Sequence, residues 1–226
     1  MEYEVFVPVD KDYKDVDYMR THDLIVEKMD GTIKARFVAG KAVKATMNID
    51  WGIDLYSPTI DSKIIFLILS IAVQANSLVE IWDIKGAFLK VCIKNKGIYA
   101  KLDKFIADIF IEINPDWKNH QKPDGSMLVE LRKAWDGTAA ASALWHEEIS
   151  KSITSICGYT QHNIIKCLYY RDLENGERGY IMLHVDDLCV MLPNNAIEKN
   201  RIKQLLTEKY GDMRVKDSDT FYIRWY

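Results

Sequence analysis

Tyr180-Ile181-Met182-Leu183-His184-Val185-Asp186-Asp187-Leu188-Cys189-Val190-Met191-Leu192 sets two adjacent carboxylates between two mostly apolar runs. Short apolar runs of this kind read as strands, so the acids sit at the tip of a hairpin whose strands are buried. Two like charges held there repel each other unless a cation compensates. A hard divalent metal such as Mg²⁺ takes oxygen ligands of this type. An ordinary Asp-Asp turn facing solvent fits the same residues, because Asp is common in turns. The segment by itself leaves these two readings open.

Asp83 shifts the balance. Leu78-Val79-Glu80-Ile81-Trp82-Asp83-Ile84 is a strand rich in β-branched and aromatic residues that closes on an acid, and Lys85, Gly86, Ala87 and Phe88 follow it in place of a polar loop cluster. Three acids, Asp83, Asp186 and Asp187, therefore end core strands. Transfer of a nucleotidyl group uses two metal ions about 4 Å apart, bridged by carboxylates from different strands. One acid from one strand and two from a hairpin meet that need, although a single Asp at a strand end is more often a cap or turn acid.

The other elements follow outward from these strands. Residues 1–30 are acidic and lack clear periodicity, which predicts an irregular N-terminal extension ahead of a domain covering residues 31–226. Asp30-Gly31 signals a turn into Ile33 to Val38, a half-exposed strand with Lys34 and Arg36 on one face. Asp61 or Ser62 caps a buried helix running to about Ala75. An irregular stretch then leads to a strand at Met127 to Leu131 and a helix from Thr138 to Cys157. Cys167 to Tyr170 and Tyr180 to Val185 flank a loop with the hairpin signal Asn175-Gly176. A helix over Ala196 to Tyr210 and a strand over Phe221 to Tyr226 complete the order. Strands and helices mix without strict alternation, which predicts an α+β fold with an antiparallel sheet covered by helices on one face.

Composition sets the outer limits. The 226 residues are 48% hydrophobic, enough for a sizeable core. The net charge of -3 gives no surplus of bases for nucleic acid, but residues 1–30 hold nine acids against four bases, so the remainder carries +2 and leaves room for a local basic groove. Cys92, Cys157, Cys167 and Cys189 show no Cys-x-x-Cys spacing and read as reduced thiols of a soluble, intracellular protein with no membrane contact. The apolar run Ile64 to Val73 is about half the ~20 residues needed to cross a bilayer. His146-Glu147 lacks the second His of a zinc protease, position 150 being Ser, and Walker, Rossmann and nucleophile-elbow glycine patterns are absent from the sequence.

Taken in order, the motifs resemble the reverse transcriptases of copia-type retroelements, the LTR retrotransposon polyproteins. Asp83-Ile-Lys-Gly-Ala-Phe-Leu89 resembles the family's Asp-Val-Lys-x-Ala-Phe-Leu, and His184-Val-Asp-Asp187 its Tyr-Val-Asp-Asp box. Lys34-Ala-Arg-Phe-Val-Ala39 is similar to Lys-Ala-Arg-Leu-Val-Ala, Gly52-Ile-Asp54 to Gly-Ile-Asp, Tyr56-Ser-Pro58 to Phe-Ser-Pro, and Gly97-Ile-Tyr-Ala-Lys-Leu102 to an Ile-Tyr-Met segment. Leu131 to Gly137, with Leu144-Trp145 beyond it, is similar to Leu-Lys-Lys-Ser-Leu-Tyr-Gly…Trp-Tyr.

The resemblance implies a right-hand polymerase, fingers and palm, with the thumb absent or truncated. It implies RNA-directed DNA synthesis by two Mg²⁺ ions, with Mn²⁺ as a substitute, on an RNA or DNA template with its primer and dNTPs. Other segments of a pol polyprotein, integrase and ribonuclease H, would be partners. Asp83, Asp186 and Asp187 would hold metal, with Asp83 and Asp186 bridging. Phe88 would form the gate under the incoming sugar, Arg36 and Lys34 would hold the triphosphate, and the loop at Gly137 would lie against the nucleotide. Where the family has Leu-Lys-Gln-Ala-Pro-Arg this chain has Thr138-Ala-Ala-Ala-Ser-Ala143, His184 replaces Tyr, and Lys41 follows Gly40 in reversed order. These departures keep open a second reading, a non-catalytic remnant that retains the palm fold and binds nucleic acid weakly.

Overall fold

A computed structural model describes residues 4–13, 16–27, 31–40, 53–94, 97–174, 176–193 and 196–216. The strand expected at 221–226, Gly52, Lys41, Asp30 and Asn175 lie outside the described residues. In chain order the first half contains β1 (Phe6–Pro8), β2 (Tyr18–Glu27), β3 (Ile33–Ala39), α1 (Ser62–Gln74), β4 (Ser77–Ile84), β5 (Tyr99–Leu102) and α2 (Lys104–Ile113). The second half contains β6 (Met127–Leu131), α3 (Ala141–Lys151), β7 (Thr160–Gln161), β8 (Leu168–Asp172), β9 (Arg178–His184), β10 (Asp187–Pro193), α4 (Ala196–Tyr210) and β11 (Met213–Lys216). The fold is mixed α+β. It divides into two compact units, Met1–Leu55 with Phe88–Leu144, and Tyr56–Ala87 with Trp145–Tyr226.

The first unit is built on a sheet of order β1-β6-β5-β2-β3, antiparallel except for the parallel pair β2 and β5. Its core is aromatic: Phe6 packs against Phe110 at 5.1 Å and Trp135 at 5.5 Å, and Phe37 against Trp135 at 4.8 Å. Such tilted and edge contacts between large rings dominate burial in a small unit. The N-terminal residues are not the irregular extension expected. Phe6 lies in this core, Met19 is fully buried, and β2 is a ten-residue strand. A surplus of acids in turns and on exposed positions hid the apolar residues between them. The stretch after Gly86, also expected to be irregular, contains β5 and α2. The helix had a readable start in Asp103, whose carboxylate accepts from the Ile106 N–H at 3.0 Å, and a readable face in Ile106 and Ala107, which are buried.

The second unit is built on a sheet of order β11-β4-β10-β9-β8-β7. Its central strand β10 is buried at every position from Asp187 to Pro193, so both faces of the sheet need cover. Ile64, Leu67 and Ile68 of α1 line one cavity with Leu168, Tyr170 and Tyr180, which places α1 on that face. On the opposite face Ser150 of α3 bonds the Tyr169 hydroxyl at 2.6 Å, and Lys199 of α4 reaches Glu80 at 2.9 Å. Helices therefore cover both faces of this sheet and not one, as the double-sided apolar pattern of β10 requires. Helix α1 begins as expected on Asp61, whose carboxylate accepts from the Lys63 N–H at 2.7 Å. It is fully buried only along Ile65, Ile68 and Ala72, while Phe66 and Val73 are exposed and Leu67 borders the open cavity. Helix α3 starts at Ala141, later than Thr138, and passes into a π-turn over Ser152–Ile156.

An ionic cluster ties α4 to β8 and to the end of that π-turn. Arg201 donates to both oxygens of buried Glu198, at 2.7 and 2.8 Å, and to the Cys157 carbonyl at 2.6 Å, while Arg171 approaches Glu198 at 3.5 Å. Burial pushes the Glu198 carboxyl up, but the hydrogen bonds and charge of Arg201, followed by the charge of Arg171, outweigh it and hold the carboxyl below its usual range. Glu198→Ala is expected to cost about 2–3 kcal/mol in urea unfolding, less than the ~3–5 of a fully buried pair because both guanidinium groups reach solvent. A carboxyl lowered by folding stabilises the protein above its unfolded value of about 4.3, and this contribution disappears as pH falls through the folded value. The gap between wild type and Glu198→Ala should therefore be widest at neutral pH and narrow in acid.

Candidate metal centre

The β9–β10 hairpin closes on the pair His184 and Asp187, leaving a two-residue turn of Val185 and Asp186. Val185 has φ +56°, in the left-handed region that hairpin turns of the mirror-image types require. Gly or Asn normally takes this position. A β-branched residue there is strained by about 1–3 kcal/mol and persists only where its surroundings determine it. The indole Nε1 of buried Trp145 donates to the Val185 carbonyl at 2.9 Å.

Strand register aligns the acids with this turn. Asp187 of β10 pairs with Asp83 of β4 on one side and with His184 of β9 on the other, and Asp83 pairs in turn with Arg214 of β11. The row across four strands reads Arg214, Asp83, Asp187, His184. Directly paired residues project from the same face with Cβ atoms about 4.5–5.5 Å apart. Asp187 is 7% exposed, so it is no solvent-facing turn acid, and Asp83 and Asp186 are half-buried. Among the described residues no group of three or more His, Cys, Asp or Glu side chains converges to hold a metal ion. The fold supplies the register. The donor set, carboxylate oxygens with one imidazole beside them, suits hard cations such as Mg²⁺ or Mn²⁺.

The remaining candidate residues belong to the first unit. Arg36 is exposed on β3, paired with Leu24. Lys34 lies on the same strand, with its side chain outside the described residues. The flanks of Arg36 are tied to the segment at Gly137: Trp135 Nε1 donates to the Phe37 carbonyl at 2.8 Å, and the Ala39 N–H donates to the Asp136 carbonyl at 2.9 Å. Gly137 has φ +88°, and a Cβ there would lie 2.2 Å from the Ala39 carbonyl oxygen. Arg36 and Gly137 are thus brought into one substructure. Phe88, five residues past Asp83, is half-buried in the 3₁₀ turn Ala87–Lys90. Gly137→Ala should destabilise the protein by more than about 2 kcal/mol, combining left-handed strain with a backbone collision, as read by thermal unfolding. An unchanged melting temperature would contradict this packing.

Three residues of the second unit carry little signal in the sequence. Arg214 went unread because residues 213–216 carry no strong strand signal. Val185 read as the end of a strand, and Trp145 as part of the Leu144-Trp145 motif. A β-branched residue immediately before the paired acids, where the turn demands positive φ, was the available clue.

The chain matches the family described as reverse transcriptase (RNA-dependent DNA polymerase) over residues 3–222. It is similar to the Transposon Ty1-DR4 and TyH3 Gag-Pol polyproteins of Saccharomyces cerevisiae, each 26% identical over 202 residues, and to that of Transposon Ty1-MR1, 27% identical. Each alignment covers 88% of this chain and 10 or 11% of the relative, so the chain spans about a tenth of the length of these polyproteins. With a match running through both units and including every one of the three acids, the chain belongs to the reverse transcriptase family, on its Ty1/copia branch.

Proposed function

We propose that this domain catalyses RNA-directed DNA synthesis, adding dNTPs to a primer 3′ end on an RNA or DNA template. The observation that supports the reading is the pairing of Asp83 with Asp187 across β4 and β10, with Asp186 in the adjoining turn. In this reading the second unit is the palm and the first the fingers. Asp83, Asp186 and Asp187 would hold two Mg²⁺ ions, or Mn²⁺ in their place, through their carboxylate oxygens. When bound, the ions activate the primer hydroxyl and neutralise the charge on the leaving pyrophosphate.

The protein groups have separate tasks. Arg36 offers a guanidinium fork to the triphosphate, and Lys34 adds a second positive charge from the same strand. Phe88 packs under the sugar and rejects a ribose 2′-hydroxyl. The loop at Gly137 borders the nucleotide. The relatives are named Gag-Pol polyproteins, and integrase and ribonuclease H segments are the partners that this reading implies for a longer chain. Among the described residues no helix is long and apolar enough to cross a membrane.

One observation favours a second reading, a remnant that keeps the fold without catalysis. In Thr138 to Ala143, Ala140, Ala141 and Ala143 are buried, and Ala139 is an exposed position without a polar group. Long polar side chains that would contact a nucleotide are missing from this segment. Primer extension on an RNA template with Mg²⁺ or Mn²⁺ separates the two. The catalytic reading expects incorporation by the wild type and a loss of at least about a thousandfold in Asp83→Asn and in Asp186→Asn, equivalent to several kcal/mol of charge stabilisation. No incorporation by the wild type, or equal incorporation by the variants, would leave the remnant.

A further inference from the structure

We infer that Trp145 is a positioning residue for the acid-bearing turn: its indole N–H holds Val185 in the left-handed conformation from which Asp186 and Asp187 are presented. Val185 is 39% exposed, so burial of its own side chain gives the strained turn only part of its support. Its carbonyl accepts from Trp145 Nε1 at 2.9 Å, and Trp145 is only 1% exposed. A buried indole N–H needs a partner, so the turn cannot relax without orphaning a donor. The Val185 carbonyl and the Asp186 N–H belong to one planar peptide, and fixing the carbonyl fixes where the Asp186 backbone begins.

The anchor itself is braced. The Tyr210 ring of α4 meets the Trp145 ring edge-on at 5.4 Å and 68°. The Tyr210 hydroxyl hydrogen-bonds Ser152, and Lys209 donates to Ser152 Oγ at 2.8 Å and pairs with Glu148 at 2.6 Å. Trp145 therefore joins two packed helices to the tip of the hairpin. In ordinary cores a tryptophan contributes area; here one polar atom sets the geometry of a strained site.

The functional meaning of this inference rests on the proposed metal site, but its structural content does not, and two readouts keep them apart. The first is amide hydrogen exchange at His184 and Asp187, the pair that closes the turn. The second is Mn²⁺ affinity, measured by titration of the whole chain. Trp145→Phe keeps an aromatic ring and removes the donor; exchange should rise roughly tenfold and Mn²⁺ affinity fall by a similar factor, the scale of one hydrogen bond. Val185→Gly in the same protein removes the steric reason for the bond and should return both readouts to near wild type. Tyr210→Phe keeps the ring against Trp145 but loses the hydroxyl contacts, so it should lower the melting temperature and leave exchange at the turn unchanged.

If Trp145→Phe does not fold, the comparison moves to the Val185→Gly background, where loss of the donor should be tolerated; failure to fold there also overturns the inference. Unchanged exchange in Trp145→Phe, or no rescue by Val185→Gly, overturns it as well. Wild-type protein that binds no Mn²⁺ would instead remove the metal reading, with the exchange data still deciding the role of Trp145.

Discussion

Asp83 and Asp187 face each other because β4 and β10 pair in one register, and a slip of a single residue would turn every side chain of β10 to the other face. In most half-exposed strands the alternation of polar and apolar residues guards against such a slip. Here it gives little protection, since Leu188, Val190 and Leu192 on one face and Cys189 and Met191 on the other are all buried. Register must come from elsewhere. The two-residue turn at Val185 and Asp186 sets β9 against β10. Glu80 orients β4, because it bonds both Lys199 and the indole of Trp82 on the face covered by α3 and α4 and so leaves Asp83 on the face that carries α1. The acids depend on these polar restraints within an otherwise apolar sheet.

The same fact explains which parts of the protein could be read from its sequence. Strands β4, β9 and β10 and helices α1 and α4 were legible because long apolar or helical runs were bounded by Asp, Gly or Pro. The place of the three acids at the strand ends was legible because charge at the end of an apolar strand is rare enough to demand a reason. Strands β1 and β2 were hidden by the acids around them, and α2 by the prolines that follow it. The single sheet expected from element order became two, one of them containing a parallel pair, since strand order says little about which strands meet across long connections. Cover on both faces could have been foreseen from β10, whose run is apolar at successive and not alternate positions.

Site residues away from the acids were harder to read. Gly137 was tied to the nucleotide through family resemblance, whereas the structure gives it a firm role of another kind, the close approach of its backbone to Ala39. Both roles can coexist, because that approach anchors the strand carrying Arg36. The alanine run beyond it is similarly double-edged. Ala140, Ala141 and Ala143 fill buried space well, and the chain loses the polar reach of the longer residues that its family places there. Ancestry and catalysis are thus separate questions. The first is answered by a match that spans the chain, the second by primer extension.

The direct test of the central claim is a crystal of the protein soaked in Mn²⁺ and measured for anomalous scattering at the manganese edge. One or two peaks are expected within coordination distance, about 2.0–2.6 Å, of carboxylate oxygens of Asp83, Asp186 and Asp187. Manganese bound only elsewhere, or none at millimolar concentration, would contradict it.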